Sequence, residues 1–277
     1  MDALVTQPIP ALLEGIASAD PDERRRACLA AVENPSATFL VDALGEALGD
    51  PEKAVARAAS DALVEIATRI GGVENAIRNA LRSELPSRRW GAAFTEARIA
   101  PPGPRLLPAL VEALGSADGD VRWAAARLIV EIGRLHGDVL PLLLAMVRSG
   151  EQAIQRRMAT FALRELAPDS LEAAEALLDA TRDIDLQVRR GAFTAMASLI
   201  APPPGIAARL LEAVHEDDDA ASRRLAALSL GEIGSANPQA ISPEAIRRLR
   251  DQEQRSEDPD LRRALQRALT RIAHPVA

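Results

Sequence analysis

Three histidines, one cysteine and a run of carboxylates are the side chains with which this chain could do bond-making chemistry. His136, His215 and His274 could shuttle protons or hold zinc, but no two stand at metal-ligand spacing and each reads as a helix-end residue. Cys28 lies in an apolar helical pattern and reads as a small core residue; alone, it permits no intramolecular disulfide and no thiolate cluster. Glu216 to Asp219 make an acidic turn without the ligand spacing of a calcium loop. No glycine-rich phosphate loop and no nucleophile motif occurs. The residues therefore point to a non-enzyme, with no catalytic residue, no metal and no cofactor.

What remains is the chemistry of recognition. Basic charge is almost all arginine, Lys53 being the lone lysine, and both tryptophans directly follow an arginine, in "SRRW" ending at Trp90 and "DVRW" ending at Trp123. The two lie 33 residues apart. Whether they are a matched pair depends on the helices that carry them.

Aromatic residues are 2% of the chain and tyrosine is absent, which disfavours a sheet. Alanine, leucine, arginine and glutamate dominate, and these lose little side-chain entropy in a helix. Val55, Ala59, Ala62, Leu63 and Ile66 fall at relative positions 0, 4, 7, 8 and 11, one face of a helix. The same spacing starts at Val121, Val188 and Leu261, with weaker copies at Arg24, Pro86, Ile154 and Ser222. These eight anchors are 31, 31, 35, 33, 34, 34 and 39 residues apart. Shorter apolar segments between them, such as "PALLEGIA" from Pro10, "LLPALVEALG" from Leu106, "VLPLLLAMV" from Val139 and "IAARLLEAV" from Ile206, read as first helices. The period predicts an all-α solenoid of about eight helix hairpins, a single array over residues 1–277. "APPGP" at Ala100–Pro104 and "APPPG" at Ala201–Gly205 read as helix stops. The last, longer interval calls for a longer loop or first helix between 236 and 257.

The segment Asp118–Gly133, "DGDVRWAAARLIVEIG", resembles the HEAT repeat, most closely the short repeats of phycobilisome lyases. The resemblance implies second helices lining a concave groove and an Asp–Arg ladder between repeats.

With these anchors, Trp90 falls at plus 4 on the apolar face, in the core. Trp123 falls at plus 2, about 200° round the helix from Val121, so the 33-residue spacing misleads by two positions. The plus 2 position holds Arg26, Arg57, Arg88, Trp123, Arg156, Arg190, Arg224 and Arg263. Acidic residues precede the second helices, among them Asp118, Asp185, Asp219 and Asp258, each placed to cap its helix and to meet an arginine of its own or the next repeat. The reading is thus a structural ladder of Arg26, Arg57, Arg224 and Arg263 with those aspartates. It is interrupted at Trp123, where a groove flanked by Arg88, Arg122, Arg127, Arg156 and Arg190 either packs internally or receives a partner.

Net charge is −7, the wrong sign for a general nucleic-acid binder. The acidic start "MDALVTQPIP" does not read as a signal peptide, and no apolar run is long enough for a bilayer, so the expectation is a cytoplasmic bacterial protein without membrane attachment. The function expected is a scaffold binding a protein partner in its concave groove. Two alternatives stay open: nucleic-acid binding, in the manner of the HEAT-like alkylpurine DNA glycosylases, and a lyase or chaperone acting on a cofactor-bearing partner.

Overall fold

The structure, a computed structural model, describes residues 7–137, 139–200 and 202–274. Most of the acidic N-terminal stretch and Ala201 of the second proline stop lie outside the described residues. Among the described residues every regular element is helical, and sixteen α-helices form about eight hairpins.

The chain divides into two compact units, Met1–Leu128 and Ile129–Ala277. In the first, α1 (Ile9–Ile16) pairs with α2 (Pro21–Ala31), α3 (Val41–Ala47) with α4 (Lys53–Arg69) and α5 (Glu74–Leu81) with α6 (Pro86–Ile99). Then α7 (Leu107–Ala113) precedes α8 (Gly119–His136), inside which the division falls. In the second unit, α9 (Leu140–Ser149) pairs with α10 (Ala153–Leu166), α11 (Leu171–Ala180) with α12 (Leu186–Met196), α13 (Ile206–Glu216) with α14 (Ala220–Ala236), and α15 (Pro243–Arg255) with α16 (Pro259–Ala273). Second helices stack on second helices, α2 on α4 on α6 and α10 on α12 on α14 on α16, while among first helices α1 packs on α3 on α5, α9 on α11 and α13 on α15. The long last interval is filled both ways, by a short 3-10 turn at Pro238–Ala240 and by the thirteen-residue α15.

Helix starts follow from capping chemistry. Asp20, Asp185, Asp219 and Asp258 each accept a backbone N–H of the first turn, satisfying donors that the helix itself leaves unpaired. Proline occupies the first turn of α2, α6, α15 and α16, where its missing N–H costs nothing. The helix before "APPGP" ends at Ile99, as proline requires. Gly205 opens α13 at φ +83°, a left-handed conformation that glycine adopts without strain.

Most of the predicted apolar face is buried in α4, α8 and α12: Val55, Ala59, Leu63, Ala125, Ile129, Val188, Ala192 and Met196 are inside, while Val121 and Leu128 are half-buried. Cys28 is fully buried as well, and burial pushes its thiol up to about 11.

In α6 the face is rotated from the expected one. Its buried residues are Ala92, Ala93 and Thr95, whereas Trp90 and Phe94 are only half-buried. The cause is the closeness of α6 to its neighbours. A methyl on Gly91 would come within 2.5 Å of the Leu48 carbonyl oxygen, and the Thr95 hydroxyl donates to Ser60 Oγ at 2.8 Å. Only small side chains fit that seam, so the aromatic rings turn outward. The core placement expected for Trp90 is thereby corrected.

Candidate recognition ridge

The arginines resolve into two files, and one of them sets the register of the repeats. Arg24, Arg122, Arg156, Arg189, Arg223 and Arg262 each donate to the carbonyl six residues earlier, at 3.0, 2.6, 2.8, 3.1, 2.8 and 2.5 Å. Arg89 does the same to Ser83. Each thereby ties its own helix to the turn before it. Four of them also reach a carboxylate of the following hairpin: Arg24 to Asp50, Arg89 to Glu112, Arg156 to Asp183 and Arg189 to Asp217. Both contacts of Arg156 on Asp183 are short, 2.7 and 2.8 Å, the side-on bidentate geometry that suits a guanidinium. In the α4 hairpin the equivalent residue is Ala56, and there the device is missing.

The acceptor turns share a local design. In five of the seven, and in the turn before α4, the side chain at the first position accepts the N–H two residues on. Asp50, Asp183 and Asp217 do this through a carboxylate, and Ser18, Ser83 and Ser116 through a hydroxyl. Burial pushes the carboxyls of Asp50 and Asp183 upward, yet the arginine and backbone hydrogen bonds outweigh it and hold both below the usual range.

This file moves three of the sequence anchors. Counting each from the residue before the turn-binding arginine, they become 23, 88 and 155 in place of 24, 86 and 154. The set 23, 55, 88, 121, 155, 188, 222, 261 then has intervals of 32, 33, 33, 34, 33, 34 and 39. Trp90 and Trp123 both fall at plus 2, so the spacing of 33 residues reflects true equivalence, and the two-position offset is corrected. Arg88 sits at an anchor and Arg26 and Arg156 leave the plus 2 row, which reads Arg25, Arg57, Trp90, Trp123, Arg157, Arg190, Arg224 and Arg263.

Along that row the charges are unequally occupied. Arg190 grips the capping carboxylate of Asp219 at 2.6 and 2.8 Å, which with the Ser222 N–H and hydroxyl keeps Asp219 strongly depressed. Arg224 lies 3.5 Å from Asp260, and Arg263 also pairs with Asp260. Arg26, now off the row, approaches Asp20 only to 3.9 Å. Arg57 is exposed and has no ion pair among the described residues. Asp118 holds Lys53 at 2.7 Å, with Asp120 at 3.1 Å, and that hydrogen bond lowers its pKa. Asp185 and Asp258 serve as caps.

Of the residues expected around Trp123, Arg88, Arg122 and Arg127 share its unit, while Arg156 and Arg190 belong to the other. Arg88 pairs with Glu46 at 2.5 Å and Arg122 is held on the Ser116 and Ala117 carbonyls. Arg127 is exposed, and Trp123 is 43% exposed.

The aromatic residues are what the sequence pattern concealed. Of six, only Phe193 is in the core; Trp90 and Trp123 stand at plus 2 and Phe94 and Phe161 at plus 6, the two outward rows of the second helices. The Trp90 and Phe94 rings lie 5.4 Å apart, and the Arg98 guanidinium sits 5.6 Å above Phe94. Arg164 covers Phe161 in the same way at 5.1 Å. The signal available beforehand was the repeated Arg-Trp doublet.

Among the described residues no group of three His, Cys, Asp or Glu could hold a metal ion, and no helix is long and apolar enough to cross a membrane.

A family model for HEAT repeats matches residues 73–164 and 174–270. No curated protein matches the chain by sequence. Among solved structures, importin β crystallised in ammonium sulfate is 17% identical with a TM-score of 0.62, over 96% of this chain and 40% of that one. The Escherichia coli protein YibA is 17% identical with a TM-score of 0.56, over 96% of this chain and 93% of its own. At such identity the likeness is one of fold, and the chain spans less than half the length of importin β.

Proposed function

The chain belongs to the HEAT-repeat family, and from that premise we propose that it is a non-catalytic scaffold that binds a protein partner along the outward rows of its second helices. One observation carries this reading. A chain with six aromatic residues places four of them on those rows, where they contribute less to folding than they would in the core. Large amphipathic side chains held at the surface are the usual anchors of protein interfaces. Trp123, with exposed Arg127 one turn on, belongs to this surface. The guanidiniums of Arg88, Arg122, Arg156 and Arg190 are engaged within the protein, so these four enter the reading as structural groups. The pairing of so many arginines also reconciles the basic row with a net charge of −7. A cytoplasmic setting fits this role.

The test is affinity capture from lysate of the source cell, with and without nuclease, using wild type and Trp123→Ala. A specific protein retained after nuclease and lost with Trp123→Ala is the expected result. Retention of nucleic acid alone, with salt-dependent affinity, would overturn the scaffold reading in favour of a DNA-binding one. A captured protein that absorbs visible light would place the chain with the phycobilisome-lyase type of repeat.

A further inference from the structure

Between α4, α6 and α8 of the first unit lies a cleft of about 270 Å³. Its walls include Leu48, Ser60, Trp90, Gly91 and Phe94, with Arg57 at one side. In its lining, Lys53 of α4 reaches Asp118, just before α8, and Asp120 in the first turn of α8, at 2.7 and 3.1 Å. The volume falls below the ~300–1,000 Å³ of small-molecule and cofactor sites, and it suits one bulky side chain. Most of the exposed wall is apolar, with Leu48, Trp90, Phe94 and Val121 contributing to it, which favours an apolar group.

The charges beside it are not symmetric. Asp50 is held by Arg24, Asp118 by Lys53 and by the Asp120 N–H, and the Asp120 carboxylate, 87% exposed, by Lys53 as well. Arg57 is the cation of the cleft that has no carboxylate among the described residues. An occupant that places an apolar side chain on Trp90 and Phe94 and a carboxylate on Arg57 would satisfy both.

We propose that this cleft is a peptide-docking site that takes one large apolar side chain of the partner, with an adjacent aspartate, glutamate or C-terminal carboxylate paired to Arg57. The proposal rests on the scaffold reading and gives its partner a chemistry. Gly91 has a part in it, because its missing side chain lets α6 close on Leu48 and shapes the floor.

The protein supplies its own probe. It has two tryptophans and no tyrosine, so Trp123→Phe leaves Trp90 as the sole tryptophan fluorophore, in the cleft wall. A random dodecapeptide library displayed on phage is selected on the full chain, and enriched peptides are synthesised and titrated against Trp123→Phe while Trp90 emission is read. The expected outcome is a shared large apolar residue next to an acidic one or at a free C-terminus. Trp90 emission shifts on binding, and affinity falls at least about tenfold in Arg57→Glu and in Trp90→Ala. Arg57→Gln, which removes the charge without reversing it, should show an intermediate loss, and circular dichroism checks that each variant is folded. Enrichment of no common sequence, or of basic peptides, overturns the proposal. So does binding that ignores Arg57→Glu and Trp90→Ala. If such peptides instead depend on Trp123 and Arg127, the cleft proposal falls while the scaffold reading stands; nucleic acid as the sole ligand removes the scaffold reading itself.

Discussion

Trp90 and Trp123 occupy the same place in successive repeats, because each follows an arginine that binds the carbonyl six residues before it, Ser83 for Arg89 and Ser116 for Arg122. Both rings therefore leave their helices on the outward side. Trp90 is half-buried there and Trp123 43% exposed, whereas Phe193 is fully buried.

Phe193 is fully buried, so Phe193→Ala should cost about 3–5 kcal/mol, the range for emptying a core aromatic site. Trp123→Ala, at a side chain 43% exposed, should cost clearly less, about 1–2 kcal/mol. Urea unfolding followed by far-ultraviolet circular dichroism checks both, and a Trp123→Ala midpoint as low as that of Phe193→Ala would return Trp123 to a packing role.

Asp183 joins two functions, accepting the Asp185 N–H and two hydrogen bonds from Arg156. Asparagine can keep the first and loses the charge that strengthens the second. Asp183→Asn should therefore destabilise by about 2 kcal/mol, as for hydrogen bonds to charged groups. Chemical denaturation of the variant measures it, and a loss of the same size in Arg156→Gln, not added to it in the double variant, would show that both act through one pair.

Asp183 and Asp219 are held below the usual carboxylate range, Asp219 chiefly by Arg190, and Asp183 by Arg156 and a backbone N–H against the opposing effect of burial. Their folded-state values lie below the unfolded value of about 3.9. The stability they contribute is thus present above about pH 4 and is lost as pH falls through the folded values. The urea midpoint should stay level from neutral pH down to about pH 5 and fall below about pH 4. Asp219→Asn should flatten that fall; an unchanged acid limb would dissociate these pairs from stability.

Cys28 is buried and its thiol is pushed up to about 11, so little thiolate forms at neutral or mildly basic pH. A chromogenic disulfide reagent at pH 8 should label the native protein only at the rate of its opening, and the urea-unfolded protein at once. Rapid stoichiometric labelling of the native chain would contradict the burial.

The helices and their pairing into about eight hairpins were legible in the sequence, because both are written in local terms. Alanine, leucine and arginine favour helix residue by residue, aspartate caps the residues just after it, and proline stops the helix just before it. The positions 0, 4, 7, 8 and 11 locate a buried face in α4, α8 and α12, where valine and isoleucine mark it. In α6 the same rule chose wrongly. The largest apolar side chains there, Trp90 and Phe94, are not the ones inside, since Gly91 against Leu48 and Thr95 against Ser60 leave room only for small residues. The arginines posed the same difficulty. "RRR" at 24–26, "RR" at 88–89 and "RR" at 156–157 offer adjacent candidates of equal chemistry. Which guanidinium turns back to the preceding carbonyl depends on where the turn lies in space. That register, the pairing of Arg156 with Asp183 and of Arg190 with Asp219, and the outward row shared by the two tryptophans were decided by tertiary structure alone. They depend on contacts across some thirty residues, and because each position turns the helix by about 100°, an anchor misplaced by one or two positions assigns a residue to a different face.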